Sequence, residues 1–466
     1  MCACISSFMA IKLSGLSAQN VWWRGGDWAK NDNDLKIVDN VFQRKKIDIK
    51  KGQIHLLRGV RRAGKTVYIK LLIKDLTEKI EGRKILYLSC DRHATKELKH
   101  IIKEFVQRFN GDVIILDEIT YLDDWNIVLK ELAETTELTM IATGSNPVRI
   151  KEKIERLPGR KIEGNEYFVN PLNFREFVSN AIDLKDTIKN PDVRRCVKTM
   201  KKFDSFSPLN PAVDDLVPYF DDLEKLFFGY LLTGGFPDAV RDYLKNGEVQ
   251  EQTYETIIRL FLGTLSKERK SEEIGRAILE KLLQTGSSRL DFLTIASDIG
   301  VHHNTVREYI ELLEGSRILY LLPAWDIERK RYAPRKQKKM IFQSSLIPLA
   351  LHHYLTGCAY AEVLDFVDKN LETLVEQLVS THVIWHFEKP ILQERHAFAG
   401  FYYNTNECDL VLARDRTFYG YESKYGKPRK EKYPFSVMYI TKDMVDDQMY
   451  PAPLFLAGLE KSDRSL

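Results

Sequence analysis

The sequence predicts an α/β protein: a parallel sheet with a helical lid, followed by a small mostly helical unit and a second, smaller α/β unit. Three observations predict it. Gly59-Val60-Arg61-Arg62-Ala63-Gly64-Lys65-Thr66 fits G-x-x-x-x-G-K-[ST] and lies between an apolar strand pattern and a helical one. Val113-Ile114-Ile115-Leu116 reads as a buried strand ending in two carboxylates, Asp117 and Glu118. Strand-length apolar runs alternate with helix-length patterns, which gives a parallel sheet whose ligands sit at the strand carboxyl ends.

The first element is the loop with its flanks. Ile54 to Arg58 reads as a strand, and Val67 to Leu76 as a helix with Ile69, Leu72, Ile73 and Leu76 at helical spacing. Backbone N–H groups can wrap a polyphosphate only where glycines let the chain turn tightly. On this reading residues 59–66 hold ATP: Lys65 reaches the β- and γ-phosphates, the Thr66 hydroxyl holds Mg²⁺, and the next helix points its positive end at the anion. Lys84 to Ser89 is a second strand, with a helix through about Phe109. After Val113–Leu116, Asp117 is expected to bind the metal through water and Glu118 to polarise the attacking water. Leu138 to Thr143 is a further buried strand. It ends in Gly144-Ser145-Asn146, where Asn146 or Ser145 can sense the γ-phosphate.

Bulk properties bound the rest. A chain of 466 residues suggests about three domains. With 44% hydrophobic and 29% charged residues it is globular in composition. A net charge of +4 excludes a uniformly basic nucleic-acid coat, so such binding has to come from local patches. No run of 18 apolar residues is present, so no membrane span is expected, and MCACISSFMA lacks the basic start of a secretory signal. The six cysteines are scattered, as expected of reduced thiols in a cytoplasmic protein, and Cys2-x-Cys4 is too short for a zinc site. Trp22 and Trp23 are expected to pack on the first domain rather than stack on bases.

Residues 180–280 are helical in pattern, with turns at Asn190-Pro191, Ser207-Pro208 and Asn210-Pro211, and are read as a lid over nucleotide. A winged helix-turn-helix follows. Leu290 to Ile299 is its first helix, with Leu293, Ile295 and Ala296 inward. Gly300 makes the turn, a second helix runs from His302 through Leu313, and Ser316 to Leu322 is a wing strand. The start of the second helix would face a DNA groove, making His302, His303, Asn304, Thr305 and Arg307 candidate contacts. Arg329-Lys330-Arg331 and Arg335-Lys336-Gln337-Lys338-Lys339 come next, a run suited to phosphate contacts, with a solvated linker as the competing reading. The domain expectations are a tail and WW segment (1–35), an ATPase core (36–179), the lid (180–280), the winged helix with its basic run (281–339) and a last unit (340–466).

In the last unit, Leu371 to Val383 is an amphipathic helix. Gly400–Tyr403, Glu407–Leu412, Gly420–Lys424 and Ser436–Thr441 are strands. Alternate strand residues share a face, so Glu422 and Lys424 in E-x-K point the same way.

WW, GVRRAGKT, IILDEI, ATGSN, LPGR, PLNFREF and LLTGGFPDAV together resemble AAA+-type P-loop ATPases of archaea and bacteria that carry a C-terminal domain of uncharacterised function. That resemblance implies nucleotide hydrolysis and places Arg160 as a γ-phosphate contact in cis or from a neighbouring subunit, with a surface salt bridge as the alternative. The order helix, hairpin, E-x-K strand, strand is similar to the PD-(D/E)xK nuclease core. By that likeness Asp409 and Glu422 bind Mg²⁺ or Mn²⁺, Lys424 positions water and Glu376 completes the site. The acidic residue that such nucleases carry earlier is missing from the matching stretch Phe342–Leu346. The expected function is an ATP-hydrolysing ATPase that binds DNA, with metal-dependent DNA cleavage at the last unit. The alternative is an ATP-dependent signalling or assembly switch whose later domains bind protein partners. Oligomeric state is open.

Overall fold

A computed structural model describes residues 13–38, 44–92, 95–122, 124–144, 165–180, 192–199, 211–388, 398–414, 417–426, 429–462 and 466. The chain divides into two compact units. The first comprises Met1–Asp39, Lys46–Arg58 and Lys65–Glu166; the second comprises Asn40–Lys45, Gly59–Gly64 and Tyr167–Leu466.

The first unit is built on strands β1 (Ile54–Arg58), β2 (Ile85–Ser89), β3 (Val113–Asp117) and β4 (Thr139–Gly144). Their order in the sheet is β2-β3-β4-β1, and β5 is Glu166–Phe168. β4 pairs in parallel with β1 on one side and with β3 on the other, Met140 lying opposite both Ile54 and Ile114. β1 and β3 therefore end on the same sheet edge. Every residue of β1, β3 and β4 is buried, as a parallel sheet covered on both faces demands. The helix Lys65–Thr77 buries Tyr68, Ile69, Leu72, Ile73 and Leu76, the face read from the spacing. Trp125, Leu129 and Leu132 of the helix Trp125–Thr135 join Leu56, Leu88 and Leu116 in the core. Trp22 and Trp23 both donate an indole N–H to the Ile85 carbonyl, at 3.1 and 2.8 Å, and so pack on β2 as expected.

The second unit opens with helices, among them Phe220–Thr233, Pro237–Asn246, Glu251–Lys267 and Glu272–Thr285. Then come β6 (Arg289–Leu290), the helices Phe292–Ile299 and His303–Gly315, β7 (Leu319–Leu322), the two-stranded hairpin of β8 (Trp325–Asp326) and β9 (Arg331–Tyr332), and β10 (Lys338–Phe342). β6, β10 and β7 form an antiparallel sheet with β10 central. Gly300 makes the interhelical turn at φ +71°, a left-handed conformation that glycine adopts without strain. Leu293 departs from its expected inward position. It is 68% exposed, because a residue two positions from Ile295 lies on roughly the opposite side of the helix, whose buried face takes Ile295 and Ala296. β10 runs across position 339/340, where composition suggests a boundary.

The last part is a five-stranded mixed sheet in sequential order: β11 (Ala399–Tyr403), β12 (Glu407–Arg414), β13 (Thr417–Lys424), β14 (Ser436–Thr441) and β15 (Met449–Pro451). β11 to β13 are antiparallel; β13–β14 and β14–β15 are parallel. The helix Leu371–Phe387 packs against β13 and β12. Among the described residues, no helix is long and apolar enough to cross a membrane.

Candidate functional site

Asp117 ends β3 with both carboxylate oxygens engaged. Oδ2 accepts from the Thr66 hydroxyl at 3.2 Å and from the Tyr87 hydroxyl at 2.8 Å; Oδ1 accepts from the Thr143 hydroxyl at the end of β4. Thr143 Oγ1 in turn accepts from the Glu118 backbone N–H at 2.9 Å. Glu118 sits at φ +53°, ψ +44°, an unusual backbone for a side-chain-bearing residue and one that recurs at active sites. Lys65 and Thr66 open their helix, Lys65 buried and Thr66 exposed. The sequence pointed to Thr66, Asp117 and Glu118. It did not single out Tyr87 or Thr143, whose one signal was a polar side chain inside an otherwise apolar strand.

A hydroxyl and a carboxylate 3.2 Å apart are hard oxygen donors of the kind Mg²⁺ takes, so Thr66 and Asp117 fit that ion. Ser145, Asn146 and Arg160 lie outside the described residues.

In the second unit, the loop Gly59–Gly64 has three residues at positive φ: Gly59 at +156°, Arg62 at +66° and Gly64 at +88°. A Cβ on Gly59 would lie 2.0 Å from the Val169 carbonyl oxygen, so no larger residue fits. Val60 and Ala63 are buried, Arg61 is half-buried, and Arg62 lies 3.9 Å from Asp238. The Arg44 guanidinium donates to the Ala63 carbonyl at 2.6 Å and to those of Asn170 and Leu466 at 2.7 and 2.6 Å, tying the loop backbone down.

The carboxylates of the last sheet form a second cluster, and its centre is a lysine. Lys339 on β10 is 2% exposed. Its Nζ lies 2.7 Å from Glu376 Oε1, 2.8 Å from Asp409 Oδ1 and 3.2 Å from Glu407 Oε1. Asp409 Oδ2 accepts from Ser423 N–H at 2.9 Å. Glu422 Oε2 accepts from Asp409 N–H at 3.0 Å, and its Oε1 pairs with Lys424 at 2.8 Å. Burial works against the Lys339 ammonium, but Asp409 and Glu376 outweigh it and hold its pKa well above the ordinary value. Burial and then Asp409 push Glu376 up to about 8; burial and then Asp409 push Glu422 up to about 7.

Glu376, Asp409, Glu422 and Lys424 thus come to one region, as the E-x-K reading anticipated. A divalent ion expected there would meet a cation that the chain itself supplies. Among the described residues, no group of three His, Cys, Asp or Glu side chains could hold an ion. The position between Glu376 and Asp409 is filled by Lys339, which the sequence placed in a basic run suited to phosphate contacts. Beside it opens a polar cleft of about 300 Å³ lined by hydroxyls of Thr285, Ser287, Ser288 and Thr373 and by Arg289.

The DNA candidates divide. His302 caps its helix, its Nδ1 accepting from Asn304 N–H at 3.3 Å, and its ring sits 4.2 Å from that of His303. Asn304 and Arg307 are exposed, Thr305 is half-buried, and Arg307 lies 6.0 Å from the Phe292 ring. This helix carries one arginine against Glu308, Glu311 and Glu314. The hairpin is different: Arg329, Lys330, Arg331, Arg335, Lys336 and Lys338 are all exposed. Arg329 pairs loosely with Asp326 at 3.7 Å, and Lys336 donates to the Tyr403 carbonyl at 2.7 Å.

Residues 51–178 match the family model described as an AAA domain, so this segment is an AAA-type, P-loop ATPase-like domain. Residues 224–348 match a model described as a domain of unknown function. An uncharacterized protein of Methanocaldococcus jannaschii is 27% identical over 66% of this chain and 64% of its own length. An uncharacterized protein of Haemophilus influenzae is 22% identical over 63% of this chain and 68% of its own. The chain therefore spans just under two thirds of the first of these relatives. The solved structure of the Thermotoga maritima RuvB Holliday junction branch migration motor aligns over 67% of this chain and 90% of that one, at 14% identity and a TM-score of 0.29. A score that low says nothing about how the whole chain is arranged.

Proposed function

We propose that the protein binds and hydrolyses ATP and engages DNA through its exposed basic hairpin. The convergence of Thr66, Tyr87 and Thr143 on Asp117, next to a left-handed Glu118, carries the first part. Lys65, at the start of its helix, is the residue that reaches the triphosphate. Thr66, and Asp117 through water, would hold Mg²⁺, which would neutralise phosphate charge. Glu118 accepts the proton of the water that attacks the γ-phosphorus, and the bond from that phosphorus to the bridging oxygen breaks. Asn146 or Ser145 is proposed to sense the γ-phosphate, and Arg160 to contact it in cis or from a neighbouring subunit, with a surface salt bridge as its alternative role.

Glu118→Gln should keep ATP affinity and lose ~10²–10⁴-fold in hydrolysis rate, the usual range for a general base. Lys65→Ala should lose binding. Hydrolysis at the wild-type rate in both variants would overturn the reading.

For DNA, the order of helix, strand, two helices, strand, hairpin and strand supports reading this part as a winged helix, with the exposed charge on the hairpin that would be its wing. The acidic second helix favours phosphate contact by the wing over base reading by His302 to Arg307. That same acidity supports a second reading, in which the helix docks a basic protein partner. We do not assign DNA cleavage to the last sheet, because the space between Glu376, Glu407 and Asp409 already holds the Lys339 ammonium.

A further inference from the structure

We infer that the Lys339 ammonium is the resident cation of the carboxylate cleft and keeps divalent metal out of it. The inference is independent of the ATPase reading.

Three elements distant in sequence build the cleft: β10 supplies Lys339, the helix Leu371–Phe387 supplies Glu376, and β12 supplies Glu407 and Asp409 on one strand face. Oxygens from three carboxylates surround one Nζ at 2.7–3.2 Å. This is the donor set a hard divalent ion would seek, and the ammonium already neutralises it. The remaining oxygens near it are also claimed. Asp409 Oδ2 is held by Ser423 N–H, both oxygens of Glu422 by Asp409 N–H and Lys424, and Glu407 Oε2 lies 3.7 Å from Arg289. An incoming ion would have to share its ligands with a fixed positive charge at contact distance, in a site from which water screening has largely been removed. The lysine backbone is fixed, because β10 is the central strand of its sheet, with Lys339 opposite Arg289 on one side and Leu322 on the other, and its ammonium is held by the three carboxylates. The polar cleft alongside gives a hydrated ion a way in, so Lys339 itself, not lack of access, is the barrier.

The test is metal binding, read by calorimetry with MnCl₂ on nucleotide-free protein, where the phosphate-loop site lacks the phosphate oxygens that complete it. Wild type and Asp409→Asn should give the same heats, with no ion lost on removing Asp409. Lys339→Ala should gain one Mn²⁺ with affinity at least ~10-fold above wild type, in the ~0.1–1 mM range of weak oxygen-ligand sites. The double variant Lys339→Ala/Asp409→Asn should lose that ion. A Mn²⁺ ion bound by wild type and lost in Asp409→Asn would overturn the inference, and this pair decides the matter even if Lys339→Ala fails to fold. A folded Lys339→Ala that binds no Mn²⁺ would also overturn it.

Discussion

At the residue scale, Thr143 illustrates how a site depends on side chains that never touch the ligand. Its hydroxyl donates to Asp117 and accepts from Glu118 N–H, so it positions both acids at once. Thr143→Val keeps the shape but leaves Asp117 short of a donor and the Glu118 N–H without this partner, at a cost of ~1–3 kcal/mol. ATP hydrolysis should fall severalfold or more while ATP affinity changes little; turnover and equilibrium binding measured on one preparation separate the two. His382 makes a different prediction. Its Nε2 accepts from Phe174 N–H at 3.0 Å and its Nδ1 faces the Leu378 carbonyl at 2.8 Å. Burial lowers its pKa to about 3. As pH falls from 6.5 toward 3, the unfolded chain takes a proton there and the folded chain does not. This contribution is therefore present above pH 6.5 and lost below it, by at most ~1.4 kcal/mol per pH unit. Melting temperatures between pH 7 and pH 5 should fall more steeply for wild type than for His382→Gln.

At the element scale, the glycines mark where backbone meets backbone. Gly235 sits at φ +73°, and a Cβ there would lie 2.0 Å from the Leu172 carbonyl oxygen. Gly235→Ala combines a left-handed strain with a clash that no side-chain motion relieves, and should cost at least ~2 kcal/mol, seen as a lower midpoint in urea unfolding. The hairpin between β7 and β10 is an element of a different kind, small and rich in exposed cations. Replacing Arg329, Lys330 and Arg331 by Ala should weaken duplex binding on all sequences alike. It should also reduce the log–log salt slope by ~1 for each phosphate that is no longer neutralised. Fluorescence anisotropy across a salt series reads both quantities. An unchanged slope would remove the wing from the interface.

At the scale of the whole molecule, ligand binding and stability are linked. A nucleotide that binds only the folded state at a hundred times its Kd adds ~2.7 kcal/mol to stability. Mg²⁺-ATP should therefore raise the melting temperature of wild type and Glu118→Gln, and leave Lys65→Ala unmoved. The net charge of +4 gives no general attraction to nucleic acid, so DNA affinity has to come from local basic patches, and the hairpin is the patch proposed.

Much of the first domain was legible in the sequence because its signals are local. A strand, a Gly-rich turn and a helix are written in consecutive residues. The apolar runs of β1, β3 and β4 are continuous because a parallel sheet is buried on both faces. The strands of the last sheet were legible for the same reason, as was the shared face of Glu422 and Lys424. What stayed hidden is set by contacts between distant segments. Tyr87 and Thr143 meet Asp117 only because β2, β3 and β4 lie side by side. In the sequence Lys339 is one more cation in a basic run, indistinguishable from Lys338. The pleat sends Lys338 to solvent and Lys339 inward, and only the pairing of β10 and the placing of Glu376 and Asp409 decide that its charge meets carboxylates. Local pattern thus determined which elements form, while the tertiary structure decided which charges face each other, since Coulomb energy depends on distance in space and not on separation along the chain.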